Sequence, residues 1–337
     1  MAEFPCIHCG TTLRIRPEQS GGRCPRCRKP VEVPRAAKLD PSEWDYLAPA
    51  QEDGEMGRLG GYRVLRVLGA GSMGIVFEAE DVALHRRVAL KVMKKAQAKK
   101  PENVDRFMQE ARSAAKIEHD HIVPIYQVGQ DRGVPYLAMK LLQGESLEDR
   151  VERQGTLPPE EVVRIGQEIA SGLAAAHEQG LIHRDIKPAN IWLEQGTGRV
   201  RIVDFGLARD YEDEEAAEAE RNFLIGTPLY MSPEQARSGA IDPRTDLFSL
   251  GAVLYKISTG EQPFKGKGAR AVIQSVLKDD PEPPSRVRQV PPVLSRIIMD
   301  LLEKDPDDRY RTAEIVRSQL EESKARLHEK PPPRVSA

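Results

Sequence analysis

At 337 residues and 39% apolar content, the chain is long enough to bury a sizeable core and leave a small module over. Its 50 basic and 52 acidic side chains leave a net charge of −2, which excludes bulk affinity for polyanions. No run of about eighteen apolar residues is present and the first ten residues carry no signal-like apolar core, so no membrane span is expected and the expected compartment is the cytoplasm.

All four cysteines lie near the amino terminus, as Cys6-Ile7-His8-Cys9 and Cys24-Pro25-Arg26-Cys27. Each pair can form a tight knuckle offering two thiolates, and zinc takes four such ligands in a tetrahedron. Two disulfides or a redox pair are the alternatives. Nothing points to secretion and no βαβ pattern surrounds the pairs, which favours zinc. His8, inside a knuckle, reads as a surface residue. Residues 4–33 resemble small zinc ribbons, too short to hold a core without their metal. Arg14, Arg16, Arg23, Arg26, Arg28, Lys29 and Arg35 make this segment basic, but no stacking aromatic is interleaved, so nucleic acid is not expected as a partner. From 34 to 60 the text turns to Ala, Pro, Asp, Glu and Gly; it reads as a linker, with Trp44 able to dock on the domain that follows.

The alternating run Tyr62–Leu68 predicts a strand, and Ile75-Val76-Phe77-Glu78-Ala79 a second. Between them lies Leu68-Gly69-Ala70-Gly71-Ser72-Met73-Gly74, a loop whose Gly69, Gly71 and Gly74 suit close approach of phosphate to backbone. A dinucleotide-binding loop would open a helix; here a strand follows. Val88-Ala89-Leu90-Lys91-Val92 is a third strand, and Lys91 becomes a candidate cation for the α and β phosphates. An amphipathic helix spans Val104 to Ile117, and its Glu110 is the candidate anchor for Lys91. A further helix begins at Pro158-Pro159 with Val162, Ile165, Ile169, Leu173 and Ala176 on one face. It leads to His183-Arg184-Asp185-Ile186-Lys187-Pro188-Ala189-Asn190 and then Asp204-Phe205-Gly206. Phosphoryl transfer needs such parts: Asp185 to accept a hydroxyl proton, Lys187 to reach the transferring phosphate, and the oxygens of Asn190 and Asp204 for magnesium. An apolar helix follows from Asp246 to Ser258.

Taken in order, these motifs, with Ser232-Pro233-Glu234, resemble the eukaryotic-like protein kinase family and most closely its bacterial Ser/Thr branch. The resemblance covers 62–327. It implies an α+β, two-lobed protein kinase fold: a small lobe of antiparallel sheet plus one helix and a large, mostly helical lobe, here preceded by the ribbon. It implies ATP with Mg2+ (or Mn2+), protein substrates, and phosphate transfer to Ser or Thr, with structural Zn2+ added by the ribbon. It further implies a purine slot lined by Leu68, Val76, Ala89, Met139 and Trp192. Thr227 would help frame the acceptor site, Glu234 would pair with Arg309, and Asp246 would brace the catalytic loop. The ribbon would recruit a partner or contact the kinase domain itself. A catalytically silent scaffold on the same fold is the competing class, disfavoured because Lys91, Glu110, Asp185, Asn190 and Asp204 are all retained. The full segment ending in Ser-Pro-Glu disfavours a small-molecule kinase.

Three features depart from the family pattern. Trp192 stands where Leu or Met is commoner, and would either narrow the purine slot or pack into the large lobe. Lys140 replaces a common Glu. Between Gly206 and Gly226 the only hydroxyl is Tyr211; instead there are Asp210, Glu212, Asp213, Glu214, Glu215, Glu218 and Glu220, either a solvated loop or a carboxylate stand-in for phosphate beside Arg184. The tail, 328–337, reads as disordered.

Overall fold

Alternation of apolar and polar residues from Tyr62 to Met93 becomes three antiparallel strands in the computed structural model, which describes residues 2–5, 12–15, 21–23, 25–26, 30–32, 44–71, 74–205 and 228–328. The four cysteines, Ser72 and Met73, the acidic segment with Tyr211, Thr227 and the tail beyond His328 lie outside the described residues. Internal contacts divide the chain into two units, 1–109 with 125–141 and 110–124 with 142–337.

The first unit holds two hairpins and a sheet. β1 (Ala2–Pro5) pairs antiparallel with β2 (Thr12–Ile15), and β3 (Gly21–Arg23) with β4 (Pro30–Glu32). The sheet is built from β5 (Gly57–Leu59), β6 (Tyr62–Ala70), β7 (Gly74–Asp81), β8 (Arg86–Met93), β9 (Ile125–Asp131) and β10 (Val134–Lys140), in the order β5-β6-β7-β8-β10-β9. The two-residue period puts Ile75, Phe77, Leu90, Val92, Tyr136 and Ala138 into one buried cluster. α1 (Lys95–Ala98) and α2 (Pro101–Ala114) follow β8. α2 begins a turn earlier than its apolar stripe predicts, because Pro101 and Glu102 suit a helix start.

The stretch expected as linker, 34–60, is structured in its second part. Tyr46 is 4% exposed within the core cluster, and Trp44, Leu47 and Met56 pack against it. Ala48 and Arg58 exchange two backbone hydrogen bonds of 2.7 and 2.9 Å, closing the outer edge of β5. Its charges explain why composition misleads here. The Glu55 carboxylate accepts from the backbone N–H of Gln51, from the side chains of Arg58 and Arg63, and from the N–H of Glu52; together they hold its pKa down to about 2. A run that looks solvated in one dimension is neutralised by β5 and β6 once the chain folds back.

In the second unit β11 (Gly144–Ser146), β12 (Ile191–Glu194) and β13 (Val200–Ile202) form a small antiparallel sheet. The helices are α3 (Leu147–Gln154), α4 (Pro159–Glu178), α5 (Pro233–Ala236), α6 (Arg244–Thr259), α7 (Ala269–Lys278), α8 (Pro284–Val287), α9 (Pro292–Leu301) and α10 (Ala313–Ser323). α3 starts on a capping box between Ser146 and Asp149, and α5 on one between Ser232 and Gln235. The predicted stripe of α4, Val162, Ile165, Ile169, Leu173 and Ala176, is wholly buried. α6 is buried on nearly every side, Asp246 included. Among the described residues no helix is long and apolar enough to cross a membrane.

The expected pair of Glu234 and Arg309 is present. Two guanidinium nitrogens of Arg309 donate to the two Glu234 oxygens at 2.8 Å each, and the Thr245 hydroxyl adds a third bond at 2.7 Å. Burial alone would raise the Glu234 pKa, but the hydrogen bonds and charge of Arg309 bring it below its ordinary 4.5. Breaking the pair by Arg309→Ala strands a buried carboxylate and is expected to cost about 3–5 kcal/mol in denaturant unfolding. Because the folded pKa is depressed, the pair's stabilisation is complete above pH 4.5 and is lost as pH falls through the lower folded value. The unfolding midpoints of parent and variant should therefore converge in acid.

Candidate active site

The site in the second unit is organised by one buried carboxylate. Asp246, wholly inside α6, accepts from the backbone N–H of His183 through Oδ2 and of Arg184 through Oδ1, both at 2.8 Å, and its Oδ2 lies 2.8 Å from His177 Nε2 at the end of α4. Gln235 adds a bond from its side-chain amide to the Arg184 carbonyl at 2.9 Å. These bonds hold Arg184 at φ 64°, a left-handed conformation that a non-glycine residue adopts only when its surroundings impose it.

His183 carries the order onward. The backbone N–H of Asp185 donates to its Nδ1 at 3.2 Å, so Nε2 bears the proton and donates to the Val203 carbonyl at 2.9 Å. The ring is fully buried and lies 4.7 Å from that of Phe205. One imidazole thus spans the segment carrying Asp185 and the segment entering Asp204, which itself sits at φ 62°. The Val203 N–H donates to the Asn190 carbonyl at 3.0 Å, a second tie between the same segments.

Around Asp185 two further predicted residues come together. Lys187 Nζ donates to Asp185 Oδ2 at 2.7 Å. The Asn190 amide nitrogen donates to the Asp185 carbonyl at 2.8 Å and to Oδ2 at 3.0 Å. With that nitrogen committed, Asn190 presents its carboxamide oxygen as a ligand atom, and the donor set of amide oxygen plus the Asp204 carboxylate fits a hard divalent cation. Trp192, on β12, is in register with Ser146 and Arg201 and faces away from the buried Ile191 and Leu193; its indole nitrogen is buried with no acceptor among the described residues. Glu110 lies near the end of α2.

In the first unit, cross-strand register places Val76 opposite Lys91 and Ala89 opposite Met139. These four share one sheet face, opposite Phe77 and Leu90. Lys91 is 8% exposed. Leu68, beside a bulge in β6, is 38% exposed. The three glycines have different causes. A Cβ on Gly74 would lie 2.5 Å from the Val92 carbonyl, so packing on β8 alone demands glycine. At Gly69 and Gly71 a Cβ would meet nothing within 4 Å. Packing does not require glycine there; a ligand passing close to the backbone would, which fits a phosphate chain.

The bracing by Asp246 was expected; the parts played by His183, His177 and Gln235 were not. His183 opens the recognised His183-Arg184-Asp185 run, and that place in the motif was its only signal in the sequence. Nothing in the sequence marks His177 or Gln235, whose partners are 69 and 51 residues away.

Residues 62–320 match the protein kinase domain. This chain belongs to the protein kinase family. It has the family's fold, a small lobe of antiparallel sheet and a large helical lobe. It is 39% identical over 273 residues to the serine/threonine-protein kinase PknB of Mycolicibacterium smegmatis, an alignment covering 80% of this chain and 43% of that protein. It is 37% identical over 258 residues to the serine/threonine-protein kinase PrkC of Bacillus subtilis, covering 76% and 39%. The crystal structure of the Mycobacterium tuberculosis PknI kinase domain is similar with a TM-score of 0.65 at 27% identity, covering 81% of this chain and 99% of that one. This kinase chain thus spans less than half the length of the curated relatives it matches.

Asp246→Ala leaves two buried backbone donors without an acceptor and should destabilise the protein by about 2–6 kcal/mol. Asp246→Asn, which retains one acceptor oxygen, should fall between parent and alanine variant in the same unfolding measurement.

Proposed function

We propose that the chain is an ATP-dependent serine/threonine protein kinase that moves the γ-phosphate of ATP to hydroxyl groups of proteins. The observation that carries this reading is the convergence of Asp185, Lys187 and Asn190 on one loop held by Asp246. Asp185 Oδ2 is engaged by Lys187 and Asn190, so Oδ1 is the atom that receives the acceptor hydroxyl proton. The Lys187 ammonium, two residues on, offers positive charge to the phosphate as it leaves ATP, and a lysine at this position accords with Ser/Thr rather than Tyr acceptors. Asn190 and Asp204 would hold Mg2+ or Mn2+, which when bound offsets charge on the phosphate oxygens. Lys91 would hold the α and β phosphates. Gly69 and Gly71 would let the backbone approach them, while Leu68, Val76, Ala89 and Met139 would offer the purine apolar contacts from the small sheet.

We further propose, independently of the kinase reading, that residues 4–33 form a zinc ribbon. Its support is the spacing of the cysteines and their order along the sequence, where Cys6 and Cys9 come after β1 and before β2, and Cys24 and Cys27 after β3 and before β4. Hairpins this short are not stable alone, and a Zn2+ bound by all four thiolates would join them. Thiolate ligands persist in a reducing compartment, and we place the protein in the cytoplasm. The ribbon's basic side chains suit an acidic partner or an acidic segment of the kinase itself.

Transfer of labelled γ-phosphate to a generic protein acceptor should appear with Mg2+, map to Ser or Thr, and fall by at least about 10²-fold in Asp185→Asn. Nucleotide binding without transfer would instead identify a silent scaffold. Metal analysis of the full chain should find one zinc, lost in Cys24→Ser; a metal-free parent would remove the ribbon reading and leave the kinase reading intact.

A further inference from the structure

The match to the kinase family begins at residue 62, yet the chain ahead of it is anchored to the small sheet at several points. Trp44 meets Phe77 edge-on, with ring centroids 6.3 Å apart and planes at 89°. Asp45 pairs with Lys95 at 2.5 Å, just after β8. The Tyr46 carbonyl accepts from Arg132, in the β9–β10 turn, at 3.3 Å. Ala48 then bridges to Arg58 on β5. The segment therefore touches β5, β7, the residues after β8 and the β9–β10 turn, and covers the apolar sheet face that carries Phe77.

Phe77 is three residues past Gly74. It alternates on β7 with Val76, which shares the opposite face with Lys91. A ring wedged against Phe77 from behind thus bears on the strand whose front presents Val76 and whose first residue closes the glycine turn through the 2.9 Å bond from Gly71 N–H to the Gly74 carbonyl. Phe77 is wholly buried and paired on both sides, with Val67 on β6 and Leu90 on β8, so displacing it displaces the β6–β7 hairpin.

We propose that Trp44 is a positioning residue for nucleotide. By backing Phe77 it sets where β7 and the glycine turn lie, so residues outside the kinase-matched part tune ATP affinity. This inference rests on the kinase reading. A tryptophan that only covers apolar surface would change stability alone, which gives the two roles different kinetic signatures.

The test uses the full chain and measures kcat, KM for ATP, direct binding of ADP with Mg2+, and thermal unfolding in the parent, Trp44→Ala, Trp44→Phe and Trp44→Leu. In Trp44→Ala, KM and the ADP Kd should rise roughly two- to tenfold, the span an edge-to-face aromatic pair can supply, with kcat within about twofold. Trp44→Phe should restore most of the affinity. A folded Trp44→Ala with parental affinity and only a lower Tm overturns the proposal. If Trp44→Ala does not fold, Trp44→Leu, which keeps apolar cover but removes the ring, decides: weakened ADP binding supports the proposal, and parental binding overturns it. A parent that binds ADP but transfers no phosphate would sink the kinase reading, while the ADP affinities would still judge Trp44.

Discussion

A carboxylate placed in the middle of an apolar helix is tolerable only if donors surround it, and Asp246 is satisfied by the very backbone that presents Asp185. The need runs in both directions. The helix supplies an acceptor for two N–H groups that would otherwise be buried without one, and the loop supplies hydrogen bonds to a carboxylate that would otherwise destabilise α6. Arg184 accepts its left-handed backbone as a result, and the turn it makes delivers Asp185, Lys187 and Asn190 to one spot. His183 extends the same order to the carbonyl of Val203 and so to Asp204. Each part of the arrangement is fixed by a neighbour rather than by its own preference, and a site assembled that way needs little reorganisation during reaction.

The small sheet solves a different problem with its two faces. One is packed with branched and aromatic residues and covered by Trp44, Tyr46, Leu47 and Met56. The other presents Val76, Ala89, Lys91 and Met139 in cross-strand register. Burying the first face makes the strands rigid, and that rigidity positions the second. Glycine serves both purposes within one loop: Gly74 admits the carbonyl of Val92, whereas the open space over Gly69 and Gly71 leaves their backbone approachable.

Further from the site, the second unit repeats the use of buried charge. Arg309 donates to both oxygens of Glu234 and to the carbonyls of Glu303, Arg244 and Lys304, so one guanidinium joins α5, the start of α6 and the turn before α10. Its planar fork suits such a junction, since five donors in one plane can be satisfied at once. Phe248 lies beneath it, with ring centroid 5.0 Å from the guanidinium carbon, and stacks in turn on Phe264.

Short-range chemistry was readable in one dimension. The spacing of Asp185, Lys187, Asn190 and Asp204, the strand period around Lys91 and the apolar stripe of α4 all express local geometry, so sequence alone determined the family, the strand and helix types and the residues to inspect. Docking of Trp44 was foreseeable from an aromatic in a polar stretch, but the added cover and strand β5 within 44–60 were not, because the acidic residues that suggested a linker find their cations on β5 and β6 only after the chain turns back. Likewise the tautomer of His183 and the contacts of His177 and Gln235 come from partners far along the chain. Local periodicity and motif chemistry survive in a string of letters. Which buried donor meets which acceptor is decided by tertiary packing, since only packing brings residues dozens apart within 3 Å and removes the water that would otherwise satisfy them.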